Sequence, residues 1–543
     1  MLRTERVAIG SCVLLLFILI IWGMTGNCPF RPDNDEWFYV VPALRMAKTC
    51  TLNPLWLSHP ASTTIYPILF YTHFLNAVCF HGALFSHNAT AENVMFDHIF
   101  LLCYLPRYMS AFAFIACIPL IYGIAEIVFG KTAAICACFM LAITPQLVYL
   151  GQVVRSDCPA LFFSLLAIYA ILKWVQTSSP KFHVIAAIAI GLAMSSRYNA
   201  LSLVPLLIAA DAKLILRTKT TPEALKTQML CLVGLITAFI TFAITTPYLF
   251  LDFDTFRINV ANERGDLSLG RDGLSPLGNF QYYWMFGIPD ILDQYVPGLA
   301  FAGFVIACFG KKRFESLWLA SYPLIVVAGT ALHPCHDERY LFPTIPIFIL
   351  FAASAIAQIG SVLSITLQRF GARNIAVALQ IVAIVFLVTA LKAHALLETC
   401  RQNTRSIYPA TEALFYNWAK EHIPEGTPIC CVGGWFCPHP ERYKIKEVMG
   451  APSYFDVVNH GQYVSPDDIA REGFSYFLVN GAWIQAYLNE PQRYAKHCRF
   501  YKELWDNSTI VKQFTPQLVG VGTPFEIQQD CPTITLYRYN LKH

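Results

Sequence analysis

The chain has 543 residues, of which 56% are hydrophobic and only 14% charged, with a formal net charge of +4. Soluble domains carry roughly 25% charged residues, so an ordinary soluble enzyme is excluded and no nucleic-acid partner is expected. Repeated apolar runs of about 20 residues are long enough to cross a hydrocarbon core of about 30 Å, which makes this a polytopic membrane protein.

In chain order the pattern predicts eleven spans, at 7–24, 105–129, 132–150, 157–175, 182–196, 199–216, 228–247, 296–310, 316–333, 340–358 and 374–394. The fifth and eighth are short. Arg3 and Arg6 precede the first span and no small-residue cleavage site follows it, so it reads as an anchor rather than a removed signal peptide. Residues 1–397 form the transmembrane domain, with large loops at 25–104 and 248–295. Within the first loop, the apolar stretch Tyr66–Phe80 contains Pro67 and lacks a basic flank, which fits an interfacial helix better than a span.

Lys and Arg set the orientation. With a cytoplasmic N-terminus, the turns on that side hold Lys131, then Lys173 and Lys181, then Arg217, Lys219 and Lys226, then Lys311, Lys312 and Arg313, and finally Arg369 and Arg373. Both large loops, the turn Gly151–Asp157 and everything after about His394 then face away from the cytoplasm.

Residues 398–543 read as a small extracytoplasmic α/β domain. Ala410–His422 has helical spacing and is stopped by Pro424 and Gly426. Ser465-Pro466-Asp467-Asp468 is a capped helix start, and Ile429–Val432, Ser475–Val479 and Thr533–Tyr539 are strands. Of the eighteen cysteines, Cys28, Cys50, Cys400, Cys430, Cys431, Cys437, Cys498 and Cys531 lie outside the spans, where an oxidising compartment allows disulfides. Neither Cys430-Cys431…Cys437-Pro438-His439 nor His333-Pro334-Cys335-His336 has good zinc-ligand spacing. Asn88-Ala89-Thr90 and Asn507-Ser508-Thr509 match the glycosylation acceptor pattern.

Four charged knots interrupt the apolar background: Asp33–Glu36, Arg155 with Asp157, Arg197, and Asp337–Arg339. Ionisable groups at a membrane boundary are costly and tend to mark substrate or ion sites. Each also has a plainer reading: a solvated acidic loop, a structural ion pair, a snorkelling arginine or an interfacial anchor. Their common side of the membrane favours one site assembled from separate loops.

These residues carry a family resemblance that extends over nearly the whole chain. Asp35-Glu36 followed by Trp37-Phe38-Tyr39 resembles the opening of polyprenyl-phosphate-sugar-dependent transferases of the C-type fold. These are glycosyltransferase family 39, which includes the protein O-mannosyltransferases and the aminoarabinose transferases of lipid A. The likeness continues through Leu105-Pro106-Arg107, Arg155-Ser156-Asp157, Gly191–Tyr198, Asp337–Pro343 and the tail Pro532–Arg538. The resemblance implies a mainly α, C-type (GT-C-like) membrane fold and a polyprenyl-phosphate sugar donor. It also implies an extracytoplasmic lipid, glycan or protein acceptor and inversion at the anomeric carbon.

By the resemblance, Asp35 is the general base, Glu36 stands beside it, and Asp157 orients the acceptor or the sugar while Arg155 keeps it ionised. Asp33 spells a second acidic pair with Asp35 and leaves open which is the base. Arg339 and Arg197 would hold the donor phosphate, with Arg155 nearby. No cofactor is required; a divalent metal is compatible but not implied. The size and short terminal module favour a bacterial inner membrane facing the periplasm. The competing readings are a secondary transporter, which needs charges near the midplane and internal repeats, and a non-catalytic polyprenyl-lipid-binding protein.

Overall fold

The computed structural model describes residues 3–25, 36–85, 91, 94–95, 98, 100–218, 220–268, 275–333, 338–369, 384, 387–388, 392–401, 403–404, 411–432, 442–448, 458–459, 462–481, 484–489, 491–492, 494–515 and 533–541. Asp33, Asp35 and Asp337 lie outside the described residues, as do Asn88, Cys28, Cys437 and Cys531.

The chain is mainly helical. Among the described residues, six helices are long and apolar enough to cross a membrane: Glu5–Met24, Phe100–Val128, Asp157–Thr177, Tyr198–Arg217, Thr221–Thr245 and Glu338–Thr366. A seventh span is obtained if the pair Pro276–Leu292 and Val296–Cys308, bent by 107°, counts as one. That is fewer than the eleven expected, and the difference has local causes. The expected 132–150 span breaks into Lys131–Ala142 and Pro145–Leu150. Thr144 is extended there, as a residue preceding proline tends to be. The expected 182–196 span is the 17-residue helix Pro180–Ser196, and most of 374–394 lies outside the described residues.

The packing is that of a protein in lipid. Thr221–Thr245 buries only Gly234, Ala238 and Phe242, one stripe at four-residue spacing. Met229, Leu232, Ile236, Phe239, Ile240 and Ile244 are exposed on the rest of its surface. Small residues in the buried stripe let helix backbones approach closely. Gly234 faces His183 of the Pro180–Ser196 helix, and a Cβ there would land on the imidazole. His183 and Asp211 are buried; His183 Nε2 lies 3.1 Å from Asp211 Oδ2, and Trp174 Nε1 donates to Asp211 Oδ1 at 2.8 Å. Three helices are thus joined through one carboxylate.

The first loop builds its own core. Trp37–Thr49 packs on Ser62–Val78 through Val40, Leu44, Ile65, Ile68 and Leu69. This unit is stitched to the spans: Ala61 N donates to Ser196 O at 3.3 Å, and Ser62 Oγ to Thr246 Oγ1 at 3.1 Å. It is also stitched to the second loop, whose helix is Phe253–Ser268: Asn53 Nδ2 donates to Asp252 at 2.7 Å, and Leu57 N to Asn259 at 2.8 Å.

The C-terminal strands are β1 (Pro428–Val432), β2 (Lys444–Val448), β3 (Val458–Asn459), β4 (Gln462–Tyr463), β5 (Tyr476–Asn480), β6 (Ser508–Phe514) and β7 (Ile534–Tyr539). The main sheet runs β2-β1-β5-β7-β6, parallel for β2-β1-β5 and antiparallel for β5-β7-β6, while β3 and β4 form a separate antiparallel pair. Cys430 and Cys431 alternate along β1 into two different core clusters, so both faces of the sheet are covered. Ser465 caps Pro466–Arg471 through a capping box with Asp468.

Gly234→Val should destabilise the helix bundle by about 1–3 kcal/mol, the usual cost of overpacking. Thermal unfolding in detergent measures this; an unchanged midpoint would show that His183 yields freely.

Candidate functional site

The site is built from the ends of four segments. Glu36 precedes the Trp37–Thr49 helix and is fully buried. Arg107 opens the Arg107–Ile115 helix and meets it with a two-point fork: Nε donates to Oε1 and Nη2 to Oε2, both at 2.8 Å. Val154 N adds a third bond to Oε1 at 2.8 Å. Burying a carboxylate is tolerable only when its charge and lone pairs are met, and here they are.

The Val154 bond fixes the turn that carries Arg155, Ser156 and Asp157. Arg155 N donates to Ser110 Oγ at 3.4 Å, and Ser156 Oγ is 3.4 Å from the Tyr39 hydroxyl. Asp157 is the first residue of Asp157–Thr177, where the helix dipole favours a negative charge. Arg155 Nε is 3.4 Å from Asp157 Oδ2, and Arg197 Nη2 donates to the same oxygen at 2.8 Å. Arg197 ends the Pro180–Ser196 helix in an extended conformation, which carries its side chain out of the helix. Arg155, Asp157 and Arg197 are only 8%, 5% and 9% exposed, so these charges interact in a poorly screened setting.

Arg339 reaches the same centre from Glu338–Thr344, the 3₁₀ turn that opens the Ile345–Arg369 helix. Its charge acts on both Asp157 and His59. Glu338 accepts from the Tyr282 hydroxyl of the second loop. Arg197 Nε has no hydrogen-bond partner among the described residues.

Of the residues expected from sequence, the structure therefore gathers Asp157, Arg155, Arg197 and Arg339. It places Glu36 beside them but ties both its oxygens to Arg107. Asp33 and Asp35 lie outside the described residues. Sequence reading missed Arg107 as the partner of Glu36, although Leu105-Pro106-Arg107 stands out at the head of an apolar run. It also missed His59, whose only sequence signal is its place between Ser58 and Pro60 ahead of an apolar stretch. Among the described residues no group of His, Cys, Asp and Glu could hold a metal ion.

Arg107→Ala would leave Glu36 buried and uncompensated, a loss of about 3–5 kcal/mol. We expect a marked fall in detergent stability, and Glu36→Gln in the same background should recover part of it. No recovery would mean that the pair is not the source of the loss.

Known proteins agree with this architecture. The sequence model of the dolichyl-phosphate-mannose-protein mannosyltransferase family matches residues 106–248, a segment that contains Arg107, Arg155, Asp157 and Arg197. No curated protein sequence matches the chain. Among solved structures, ArnT from Cupriavidus metallidurans in the apo state is similar at TM-score 0.52 and 13% identity, covering 90% of this chain and 94% of that one. The same protein bound to undecaprenyl phosphate gives TM-score 0.51 and 12% identity, covering 98% and 97%. The archaeal oligosaccharyltransferase AglB from Archaeoglobus fulgidus, in complex with an inhibitory peptide and a dolichol-phosphate, gives TM-score 0.56 and 13% identity, covering 98% of this chain and 75% of that one. From the matched segment, the helical architecture and these likenesses together, the chain has the C-type glycosyltransferase fold.

Proposed function

We propose that this protein is a membrane glycosyltransferase that moves a sugar from a polyprenyl-phosphate donor to an extracytoplasmic lipid, glycan or protein acceptor, with inversion. The observation that carries the reading is buried Asp157 held by Arg155 and Arg197, with the charge of Arg339 acting on it as well. Structural relatives that hold undecaprenyl phosphate or a dolichol-phosphate support a lipid phosphate as the anionic partner.

In this reading the acceptor hydroxyl gives its proton to Asp35, its oxygen bonds to the anomeric carbon, and the carbon–oxygen bond to phosphate breaks. Polyprenyl phosphate departs with the bonding electrons. It is a good leaving group, so it needs a cation rather than an acid, and Arg339 and Arg197 provide guanidinium forks for it. Arg155 keeps Asp157 ionised, and Asp157 orients Arg197 and the sugar or acceptor. Glu36, the next residue after Asp35 in the chain, has both oxygens engaged by Arg107 and serves as an anchor. Asp33 remains the alternative base.

The eleven-span topology, with the site outside and the N-terminus in the cytoplasm, belongs to this proposal. Supporting it, Lys131 pairs with Glu5 and Lys213 with Glu315 at the helix ends opposite Asp157. Phe70, Phe74 and Val78 form an exposed apolar stripe on Ser62–Val78, as an interfacial helix requires. The domain division near residue 397 and the bacterial inner membrane are parts of the same reading.

Purified protein in detergent, given radiolabelled polyprenyl-phosphate sugars and a crude membrane acceptor, should transfer one of them. Asp35→Asn should abolish turnover with donor binding nearly intact; unchanged turnover would remove Asp35 as the base. Arg339→Ala should weaken donor binding about ten- to a hundredfold, the loss of a charged hydrogen bond. A normal donor affinity would take Arg339 out of the phosphate site. For the topology, D254C replaces an aspartate whose side chain is 87% exposed. In a background where every other accessible cysteine, Cys28, Cys50, Cys79, Cys335, Cys437 and Cys531 among them, is changed to serine, it should react with an impermeant maleimide from the non-cytoplasmic side. Labelling only from the cytoplasm would invert the arrangement.

A further inference from the structure

Among the described residues, His59 is a titratable group at this centre to which neither the expected roles nor the ion pairs assign any work. On either side of it, the amide of Ala61 donates to Ser196 O and the carbonyl of Leu57 accepts from the Tyr198 hydroxyl, the two neighbours of Arg197. His59 sits in the connection between Trp37–Thr49 and Ser62–Val78, half-buried. Its ring packs against Trp56 with centroids 5.3 Å apart and a 44° tilt. Trp56 is itself stacked on Phe38 at 5.2 Å and meets Tyr39 edge-on at 5.9 Å. Tyr39 approaches Ser156, the neighbour of Asp157, so an aromatic chain leads from the acidic turn to the imidazole.

The charged groups that act on the ring are Arg197, Arg339 and Asp157, from three separate segments. Burial, followed by Arg197 and Arg339, pushes the imidazole down to about 3, against weaker upward effects of the Ser58 backbone and Asp157. From about pH 5 to about pH 9 the ring is therefore neutral, unlike an ordinary histidine that titrates near 6.5.

Neutrality decides what the ring can recognise. A neutral imidazole has one donor and one acceptor nitrogen, whereas phosphate oxygens only accept. Phosphate is better served by the guanidiniums already present. The Ser58 backbone already takes one ring nitrogen, so the other is left to accept from a hydroxyl, a hydrogen that a phosphate oxygen does not offer.

We propose that His59 contacts a hydroxyl at the reacting centre, on the transferring sugar or on the acceptor, and that Trp56 is the positioning residue that holds it there. This rests on the glycosyl-transfer reading above. His59 moves no proton in the reaction; it fixes the hydroxyl relative to the arginines and Asp157.

The test uses the full chain in detergent with three measurements: binding of sugar-free polyprenyl phosphate, KM for the sugar-bearing donor, and KM for the acceptor fraction. His59→Ala should leave sugar-free lipid binding within about twofold of wild type while one of the two KM values rises about tenfold, the loss of one neutral hydrogen bond. A rise in donor KM assigns the hydroxyl to the sugar, and a rise in acceptor KM assigns it to the acceptor. His59→Gln, which keeps a donor and an acceptor, should recover most of the loss with an unchanged pH profile.

Three results would overturn the role of His59. The first is a fall in sugar-free lipid binding equal to the substrate loss; the second is no change in any measurement. The third is a wild-type rate limb near pH 6.5 that vanishes in His59→Gln. A wild type silent with every donor would instead overturn the glycosyl-transfer reading on which the proposal depends.

Discussion

Everything at the Asp157 end of this protein depends on how Glu36 is neutralised. A carboxylate with no exposed surface needs a cation and several donors, and Arg107 and the Val154 amide supply both. Because the fork is two-pointed and the third bond comes from the backbone, the contact fixes orientation as well as distance. The first loop is thereby held against the second apolar span and against the turn that carries Asp157. Were that joint loose, the aromatic chain Phe38–Trp56–His59 would lose its register with the arginines. The stitches from Asn53 and Leu57 to the second loop brace the same unit from its other side.

The opposite end of the bundle uses similar chemistry for a different purpose. Asp211 joins Trp174 and His183 across three helices, and Lys213 pairs with Glu315 while lying 3.7 Å from the centre of the Phe314 ring. Among the described residues, no arginines share a carboxylate there. These contacts lock helix rotation where lipid gives helices little reason to associate. One end is a frame and the other a charged centre, and the Asp157–Thr177 helix spans both.

Much of this was legible in the sequence, because membrane proteins advertise their costs. The apolar runs, the clustering of Lys and Arg, and the rarity of Arg155, Asp157 and Arg197 follow from the price of charge in hydrocarbon. The capped start at Ser465-Pro466 and the strands around Ile429, Tyr476 and Ile534 were readable from turn chemistry and β-branched residues. What escaped were relations rather than residues. Glu36 and Arg107 are 71 positions apart, and nothing local tells a carboxylate which arginine it will meet. His59 looked ordinary because its character comes from burial and from Arg197 and Arg339, far away in sequence. Hydropathy also averages over Thr144-Pro145 and cannot see the break there, which splits one expected run into two helices.

The contacts also have an order in time. During synthesis Glu36 is made first, Arg107 follows, and Val154 comes 118 residues after Glu36. Gln152, on the same turn, is bound through Nε2 to Asn403 Oδ1 at 2.9 Å, while Asn403 Nδ2 donates to Leu19 O at 2.7 Å across 384 positions. That end of the first span is thus closed by a residue translated long after it. The ribosome must deliver about three quarters of the chain before that seam can shut, so the centre around Asp157 matures late, as the C-terminal domain begins to emerge.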